Sequence, residues 1–148
     1  MAGLLREQGQ AALHITYDPD EALAIADRVI VLGQGQILDD GTHAQVYHSP
    51  RSLGSAQALG RLNILPVGWL ARGKSGVAVC RWEDVEPGSQ NVPGVLAKME
   101  RTLTLRGNAL AVYRAGNERI IAPQYGEVGQ EFYLGSPRTQ YFSSDGQG

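Results

Sequence analysis

LHITYDPDEAL, residues 13–23, is the stretch that decides how this 148-residue chain begins to fold. It overlaps a short apolar run, Ala11–Thr16, of the kind that forms buried parallel strands. Asp18 can cap a helix, Pro19 suits the first helical position, and Glu21 stands three residues after the cap, as in a capping box. The stretch therefore predicts a strand followed at once by a helix.

The residues that follow predict a second strand and a hairpin. Val29–Leu32 is a continuous apolar run, and Gly33–Gly35 forms a three-residue loop into Gln36–Asp39. Thr42 and Gln45 form another capping-box pair at the start of a short helix. A β-α-β piece with a hairpin, about 50 residues long, is too small to bury a useful core by itself. We therefore expect it to complete a larger sheet.

The pattern changes near residue 53, where short strands punctuated by Gly, Pro and Asn begin. Such spacing is typical of a small barrel or sandwich, so the predicted fold is an α/β remnant at 1–53 followed by an all-β, OB-like barrel at 54–148. The last residues, 143–148, are rich in Ser and Gly and predict a mobile tail. The predicted strands are Asn63–Val67, Gly76–Arg81, Val92–Glu100, Thr102–Arg106, Ala109–Ala115, Arg119–Ala122, Glu131–Gly135 and Thr139–Phe142.

Composition limits the possible functions. The net charge is −2 and the arginines are scattered, which argues against a nucleic-acid binder because such proteins carry a basic patch. No apolar run reaches the length of a membrane span, and charged and polar residues at 6–8 interrupt any signal-peptide core. The single cysteine, Cys80, excludes an internal disulfide and lies in an alternating strand, where a packed apolar role is expected. His43 and His48 have no third ligand nearby in sequence, so no metal site is predicted.

Residues 13–37 resemble the last catalytic segment of ABC transporter ATPases. That family has two apolar residues, then Val-Thr-His-Asp, an acidic helix start, Ala-Asp-Arg and an apolar strand, and Ala26–Arg28 matches the Ala-Asp-Arg step. The resemblance implies a full-length protein that binds ATP and Mg²⁺. It also implies that a histidine contacting the γ-phosphate should stand where this chain has Tyr17.

Tyr17 and Asp18 are the residues that the resemblance nominates for nucleotide binding. A tyrosine can donate a hydrogen bond to phosphate, but its pKa near ~10 makes it a poor proton relay at neutral pH. Tyr17 is therefore a weakened nucleotide contact, a sign of lost catalysis, or only a tyrosine at a strand end. Asp18 matches the family's aspartate, and helix capping is by itself a sufficient role for it. The resemblance therefore confirms no catalytic residue in this chain, and His14 does not replace the family's histidine.

The second part resembles the transport-associated OB-type (TOBE) regulatory domain of many ABC importers. Leu59–Pro66 looks like its Gly-x-x-Asn-apolar-apolar-Pro element, Cys80–Val85 its Arg-Pro-Glu-x-apolar element, and Asn91–Leu96 the start of its next strand. Such importers carry iron, polyamines, oxyanions such as sulfate and molybdate, or sugars. The resemblance implies a cytoplasmic subunit at the inner membrane, dimerised with a second ATPase subunit beneath a transmembrane permease.

A competing motif is Gly68-x-x-x-x-Gly73-Lys74-Ser75, which satisfies the P-loop pattern. A P-loop needs a helix directly after it, and here a β-branched run ending in Trp82 follows instead. We interpret the motif as a chance match at a hairpin tip. A small nucleotide binder that uses Lys74 is therefore the least favoured hypothesis.

The predicted function is that of the C-terminal part of an importer's ATP-binding subunit, with a regulatory and structural role. Without a credible P-loop or signature loop, these residues alone are predicted not to hydrolyse ATP and to need no cofactor. The alternative is a stand-alone OB-type sensor of a small oxyanion, or a dimerisation module. Ligand-dependent stabilisation distinguishes these hypotheses.

Overall fold

The computed structural model describes residues 7–67, 76–88 and 94–143, and the chain forms two compact units, 1–60 and 61–148. Among the described residues no helix is both long and apolar enough to cross a bilayer. The predicted domain boundary after residue 53 stays a prediction. The elements of the first unit are α1 Pro19–Ile25, β1 Val29–Gly33, β2 Gln36–Gly41, α2 His43–His48 and α3 Leu53–Ala58.

Side-chain caps start each of the three helices that lie wholly within the described part of the first unit. The Asp18 carboxylate accepts from the Asp20 N–H at 2.9 Å, which confirms the predicted start of α1. The complete capping box of Thr42 and Gln45 at α2 is also as predicted. Ser52 caps α3, a helix that the sequence pattern did not predict.

The β1–β2 hairpin differs in detail from the predicted one. Gly33 pairs with Gln36, so the loop has two residues rather than three. Gln34 and Gly35 both have positive φ, 52° and 76°, which is the backbone of the type I′ turn that suits the twist of two paired strands. One face of β1 packs against α2 and the end of α3, forming a small core of Val29, Val31, Val46 and Leu59.

The strand predicted at Ala11–Thr16 does not form. These residues carry no regular structure, and Leu13 and Ile15 are 86% and 82% exposed. A parallel strand needs hydrogen-bonding neighbours and cover on both faces, and the described part of this chain supplies neither for residues 11–16. The apolar pattern of residues 11–16 is that of a strand, but no strand of the described chain pairs with it.

The second unit consists of two antiparallel sheets. The strands are β3 Leu62–Pro66, β4 Val77–Arg81, β5 Glu86–Pro87, β6 Gly94–Leu105, β7 Asn108–Ala115, β8 Glu118–Pro123, β9 Glu131–Gly135 and β10 Gln140–Phe142. One sheet has the order β10-β4-β3, and the other, a curled sheet, has the order β5-β9-β6-β7-β8. Together with the helices and hairpin of the first unit, this confirms the predicted fold class, α/β followed by a β barrel.

Most of the predicted strands are confirmed, with two of them merged into one and one further strand added. The two strands predicted at Val92–Glu100 and Thr102–Arg106 are one twelve-residue strand, β6. Glu100 forms a bulge there, because Met99 pairs with Tyr113 while the next pair is formed by Arg101. The sequence pattern predicted neither β5 nor the 3-10 turn at residues 82–84.

Two tyrosines organise polar contacts beside the core of the second unit. Tyr113 is fully buried, and its hydroxyl donates to the Pro123 carbonyl at 2.9 Å and accepts from the Tyr125 N–H at 3.1 Å. The Tyr125 hydroxyl donates in turn to the Val85 carbonyl. These bonds satisfy the carbonyl of the last residue of β8 and two backbone groups outside the strands, the Tyr125 N–H and the Val85 carbonyl.

A side chain joins the two sheets of the second unit. Asn63 of β3 is 4% exposed, and its amide nitrogen donates to the Ile121 carbonyl while its amide oxygen accepts from the Ile121 N–H, each at 2.8 Å. The amide thus reproduces the paired bonds of an antiparallel ladder between β3 and β8. We call this contact the Asn63 staple.

Candidate functional site

The segment that leads into α1 holds the two residues nominated for nucleotide binding. The Asp18 N–H donates to the Thr16 hydroxyl at 3.1 Å, so the backbone turns tightly around Tyr17. The Tyr17 side chain is fully exposed, at 106% of its reference area. Asp18 is occupied as the cap of α1. The structure therefore places the tyrosine ring in solvent at the start of a helix, with Asp18 beside it in a structural role.

Glu21 takes a different role from the one predicted. Because the Asp18 N–H bonds to Thr16, Glu21 does not close a capping box. It lies 3.3 Å from His14 instead. Hydrogen bonding from the Thr16 hydroxyl first, and from His14 second, lowers the pKa of Glu21. A carboxylate whose pKa is lowered is a weaker proton acceptor, so these contacts favour a role for Glu21 in the local structure ahead of α1.

The P-loop-like residues Gly68, Gly73, Lys74 and Ser75 lie outside the described residues, so their assignment as a chance match stays a prediction. Their flanks are described. β3 and β4 pair as antiparallel neighbours, from Leu62 opposite Arg81 to Pro66 opposite Val77. A strand thus stands where a phosphate-binding loop requires a helix.

An aspartate that sequence analysis passed over organises the first unit. Asp39 is 3% exposed, and its carboxylate accepts from the Arg51 N–H at 2.8 Å, the Ser55 hydroxyl at 2.9 Å and the Asp40 N–H at 2.9 Å. Arg51 Nε lies 3.6 Å from the same carboxylate. Asp39 therefore fixes the start of α3 to β2. Two successive aspartates in a strand, where Asp is depleted, were the sequence signal for such a role.

The neighbouring Asp40 faces outward and pairs with Arg28. Its two carboxylate oxygens accept from Arg28 Nε and an Arg28 terminal nitrogen, each at 2.6 Å. This two-point hydrogen bond lowers the pKa of Asp40. The pair lies at the exposed edge of the hairpin, so it fixes local geometry and adds little stability.

Cys80 has no reactive environment. Burial raises the pKa of its thiol to about 11, so the nucleophilic thiolate is scarce at neutral pH. Within the described ranges, no group of three or more His, Cys, Asp or Glu side chains is arranged to hold a metal ion. His43 and His48 stand exposed at the two ends of α2.

Exposed apolar side chains are concentrated in one part of the described chain. Ten large hydrophobic side chains are exposed, and seven of them lie between residues 13 and 37. Leu32 and Ile37 pair across the hairpin and are 68% and 63% exposed, while the alternate residues of β1 are buried. We call these seven residues the apolar surface of the first unit: Leu13, Ile15, Tyr17, Ile25, Ile30, Leu32 and Ile37.

Several curated proteins are similar to this chain, one of them along most of its length. The Fe(3+) ions import ATP-binding protein FbpC of Rhizobium etli is 32% identical over 134 residues, which are 89% of this chain and 35% of that protein. The sulfate/thiosulfate import ATP-binding protein CysA 2 of Chromobacterium violaceum is 44% identical over 66 residues, 45% of this chain and 18% of that protein. The chain is similar to the ATP-binding subunits of ABC importers. No family model matches it.

These matches confirm the resemblance that the sequence motifs indicated. A third relative, the sn-glycerol-3-phosphate import ATP-binding protein UgpC of Vibrio vulnificus, is 40% identical over 81 residues, 53% of this chain and 22% of that protein. The chain spans about a third or less of the length of each of these three relatives. It therefore corresponds in length to only a part of such a subunit.

Proposed function

We propose that these residues are the C-terminal part of the ATP-binding subunit of an ABC importer. They combine the last piece of its nucleotide-binding domain with an OB-type regulatory domain, and their role is structural and regulatory. The observation that carries the proposal is the apolar surface of the first unit, in a chain similar to such subunits over 89% of its length. An isolated soluble unit rarely leaves so many apolar side chains of one segment in water.

The apolar surface is what an incomplete sheet exposes. Residues 11–16 have the composition of a central parallel strand, yet they carry no regular structure and all except Thr16 are exposed. The outer face of β1 carries Ile30 and Leu32, opposite the buried Val29 and Val31. Covering both would require a further sheet and helices, which is what the preceding part of a nucleotide-binding domain provides. The apolar surface is therefore proposed to dock on that part.

The complete subunit would bind ATP and Mg²⁺, dimerise with a second ATPase subunit and act beneath a transmembrane permease, on the cytoplasmic side of the inner membrane. Its cargo would be of the iron, polyamine, oxyanion or sugar class, because relatives are named for iron, spermidine/putrescine, sulfate and glycerol-phosphate import. Tyr17 would offer a phenol in place of the expected imidazole. Phosphate could still accept its hydrogen bond, while proton transfer at neutral pH would be slow.

Association in trans tests the docking proposal. The chain is co-expressed with the part of the Rhizobium etli relative that it does not match, and co-purification is measured. Leu32→Glu should abolish co-purification because it places a charge in the apolar surface. Val128→Glu, at a residue of similar exposure (60%) in the second unit, is the matched control and should leave it intact. Absence of association, or equal loss in both variants, would refute the docking proposal.

Ligand addition tests the predicted lack of independent activity. The purified chain should neither hydrolyse ATP nor gain thermal stability from ATP with Mg²⁺. Turnover that Lys74→Ala abolishes and Lys98→Ala leaves intact would establish the P-loop hypothesis instead. Stabilisation by molybdate or sulfate would favour the oxyanion-sensor alternative.

A further inference from the structure

Strand β6 extends beyond the neighbour that covers its first half. β9 pairs with Gly94–Lys98 only, whereas β7 pairs with β6 from Lys98 to Leu105. The last contacts on the β9 side are the Met99 N–H to the Gln130 carbonyl and the Gly129 N–H to the Met99 carbonyl, each at 2.9 Å. The bulge at Glu100 follows directly, so the second half of β6 separates from β9.

Residues Arg101–Leu105 therefore form a sheet edge that no other described strand covers. In the described part of the chain, no strand pairs with them on the side opposite β7. Arg101, Thr102 and Thr104 are exposed. In an antiparallel strand, every second residue directs its backbone N–H and C=O away from a given neighbour. This edge therefore presents backbone hydrogen-bonding groups to solvent.

The edge also lacks the features that protect edge strands from pairing. Such strands usually carry Pro, several charges, or a charge pointing inward. The sequence Arg-Thr-Leu-Thr-Leu has one charge, at its end, and no proline. β-Branched and apolar residues alternate along it, which favours a paired strand. An edge of this composition is suited to accept another strand.

We propose that Arg101–Leu105 pairs antiparallel with the same segment of a second copy of this chain, about a two-fold axis at Leu103. The segment is self-complementary in that register, because Thr102 of each copy then lies opposite Thr104 of the other, and Leu103 opposite Leu103. Thr–Thr pairs on one face and an apolar pair on the other are favourable cross-strand neighbours. The only charge, Arg101, lies opposite Leu105, so no like charges meet.

The residue types at 102–104 form a palindrome, which favours a second copy of this chain as the partner of the edge. A two-fold interface uses the same patch on both subunits, so its sequence must be complementary to itself. Thr-Leu-Thr is identical read in either direction, and antiparallel pairing keeps both threonines on one face. The proposal does not rest on the proposed transport function, because it concerns only the second unit and its edge.

Charge exchange at the exposed threonines tests both the interface and its register. Sedimentation equilibrium of the full chain should show a concentration-dependent dimer. Thr102→Lys with Thr104→Lys places lysine opposite lysine twice, so the dimer Kd should rise about tenfold or more. Thr102→Lys with Thr104→Glu places lysine opposite glutamate twice and should keep the dimer.

A mixture controls for changes in net charge. The double-lysine variant and the double-glutamate variant should each be mainly monomeric and should form a heterodimer when mixed, since every pair is then opposite in charge. A monomeric parent chain, or a double-lysine variant that dimerises as tightly as the parent, overturns the proposal. If the parent chain is monomeric, the partner of this edge would be a different extended peptide.

Cross-linking tests the position of the axis. Cα atoms of directly opposed residues in an antiparallel pair lie about 4.5–5.5 Å apart, within disulfide range. Leu103→Cys should therefore form an intermolecular disulfide under mild oxidation, and Thr102→Cys, whose counterpart lies diagonally, should form far less. Cys80 is buried and serves as the silent internal cysteine in both variants. Equal cross-linking at both positions overturns the proposed register.

Discussion

Removal of the Asn63 staple should destabilise the second unit strongly. Asn63→Leu keeps a similar volume but leaves the Ile121 N–H and carbonyl without the two 2.8 Å bonds. A buried backbone group left unpaired costs about 1–3 kcal/mol, so the pair should cost about 3 kcal/mol in free energy of unfolding. For a unit of this size, that corresponds to a Tm about 12–24 °C lower.

In the Asn63→Asp variant, pH decides whether the side chain can form both bonds to Ile121 or only one. An ionised carboxylate can still accept from the Ile121 N–H, but its second oxygen faces the Ile121 carbonyl and repels it. Protonation restores a donor, so the folded-state pKa of the introduced group should lie above its unfolded value of about 3.9. The stability that the protonated carboxyl contributes is then fully present below the unfolded pKa and is lost as pH rises through the folded pKa.

Guanidinium unfolding followed by tryptophan fluorescence reports on the correct unit, because Trp69 and Trp82 both belong to residues 61–148. At neutral pH the Asn63→Asp variant should have a free energy of unfolding as low as that of Asn63→Leu. At low pH the value for Asn63→Asp should rise toward that of the parent, whereas the value for Asn63→Leu should not. A free energy of unfolding of Asn63→Leu within about 0.5 kcal/mol of the parent, as for an ordinary surface substitution, would show that the Asn63 staple contributes little. An identical pH response of the Asp and Leu variants would contradict the proposed roles of the two bonds.

Three further predictions concern the thiol and the two aspartates. Burial raises the pKa of Cys80 to about 11, so the folded chain should react slowly with a disulfide reagent at neutral pH and rapidly once unfolded; fast native reaction contradicts this. Arg28→Gln should raise the pKa of Asp40 toward its ordinary value in a carboxyl NMR titration, since the Arg28 hydrogen bond lowers it; an unchanged titration would contradict that cause. Asp39→Ala should speed amide exchange in Leu53–Ala58, because its bonds to that helix are lost, whereas Asp40→Ala should not; equal exchange in both would show that Asp39 does not hold the helix.

Features set by neighbouring residues could be predicted from the sequence. The side-chain caps at Asp18 and Thr42 depend on residues within three positions, and both formed, although the capping box predicted for Asp18 and Glu21 did not. Strand positions in the second unit followed from alternation and turn residues. The β6–β7 turn illustrates the local rule, because Arg106 and Gly107 adopt the positive φ values, 49° and 82°, of a two-residue hairpin.

Features set by distant residues could not be predicted. Asn63 lies 58 positions from Ile121 and Asp39 lies 16 from Ser55. Nothing local indicates which buried polar side chain will meet which backbone group, since that depends on how the sheets come together. The bulge at Glu100 escaped prediction for the same reason: it appears where β6 leaves β9, and the sequence alone shows two strands instead of one bent strand.

The failed strand at residues 11–16 is the most informative of these differences. Its apolar pattern predicts burial on both faces, whereas Leu13 and Ile15 are almost entirely exposed. A local pattern can specify a central strand, but only neighbouring strands can form one, because every ladder hydrogen bond needs a partner. Where pattern and exposure disagree over a whole segment, the segment is suited to a larger assembly than the described chain. The same disagreement at Ile30 and Leu32 extends this surface onto the hairpin, so the two segments together define where the remainder of a nucleotide-binding domain is proposed to dock.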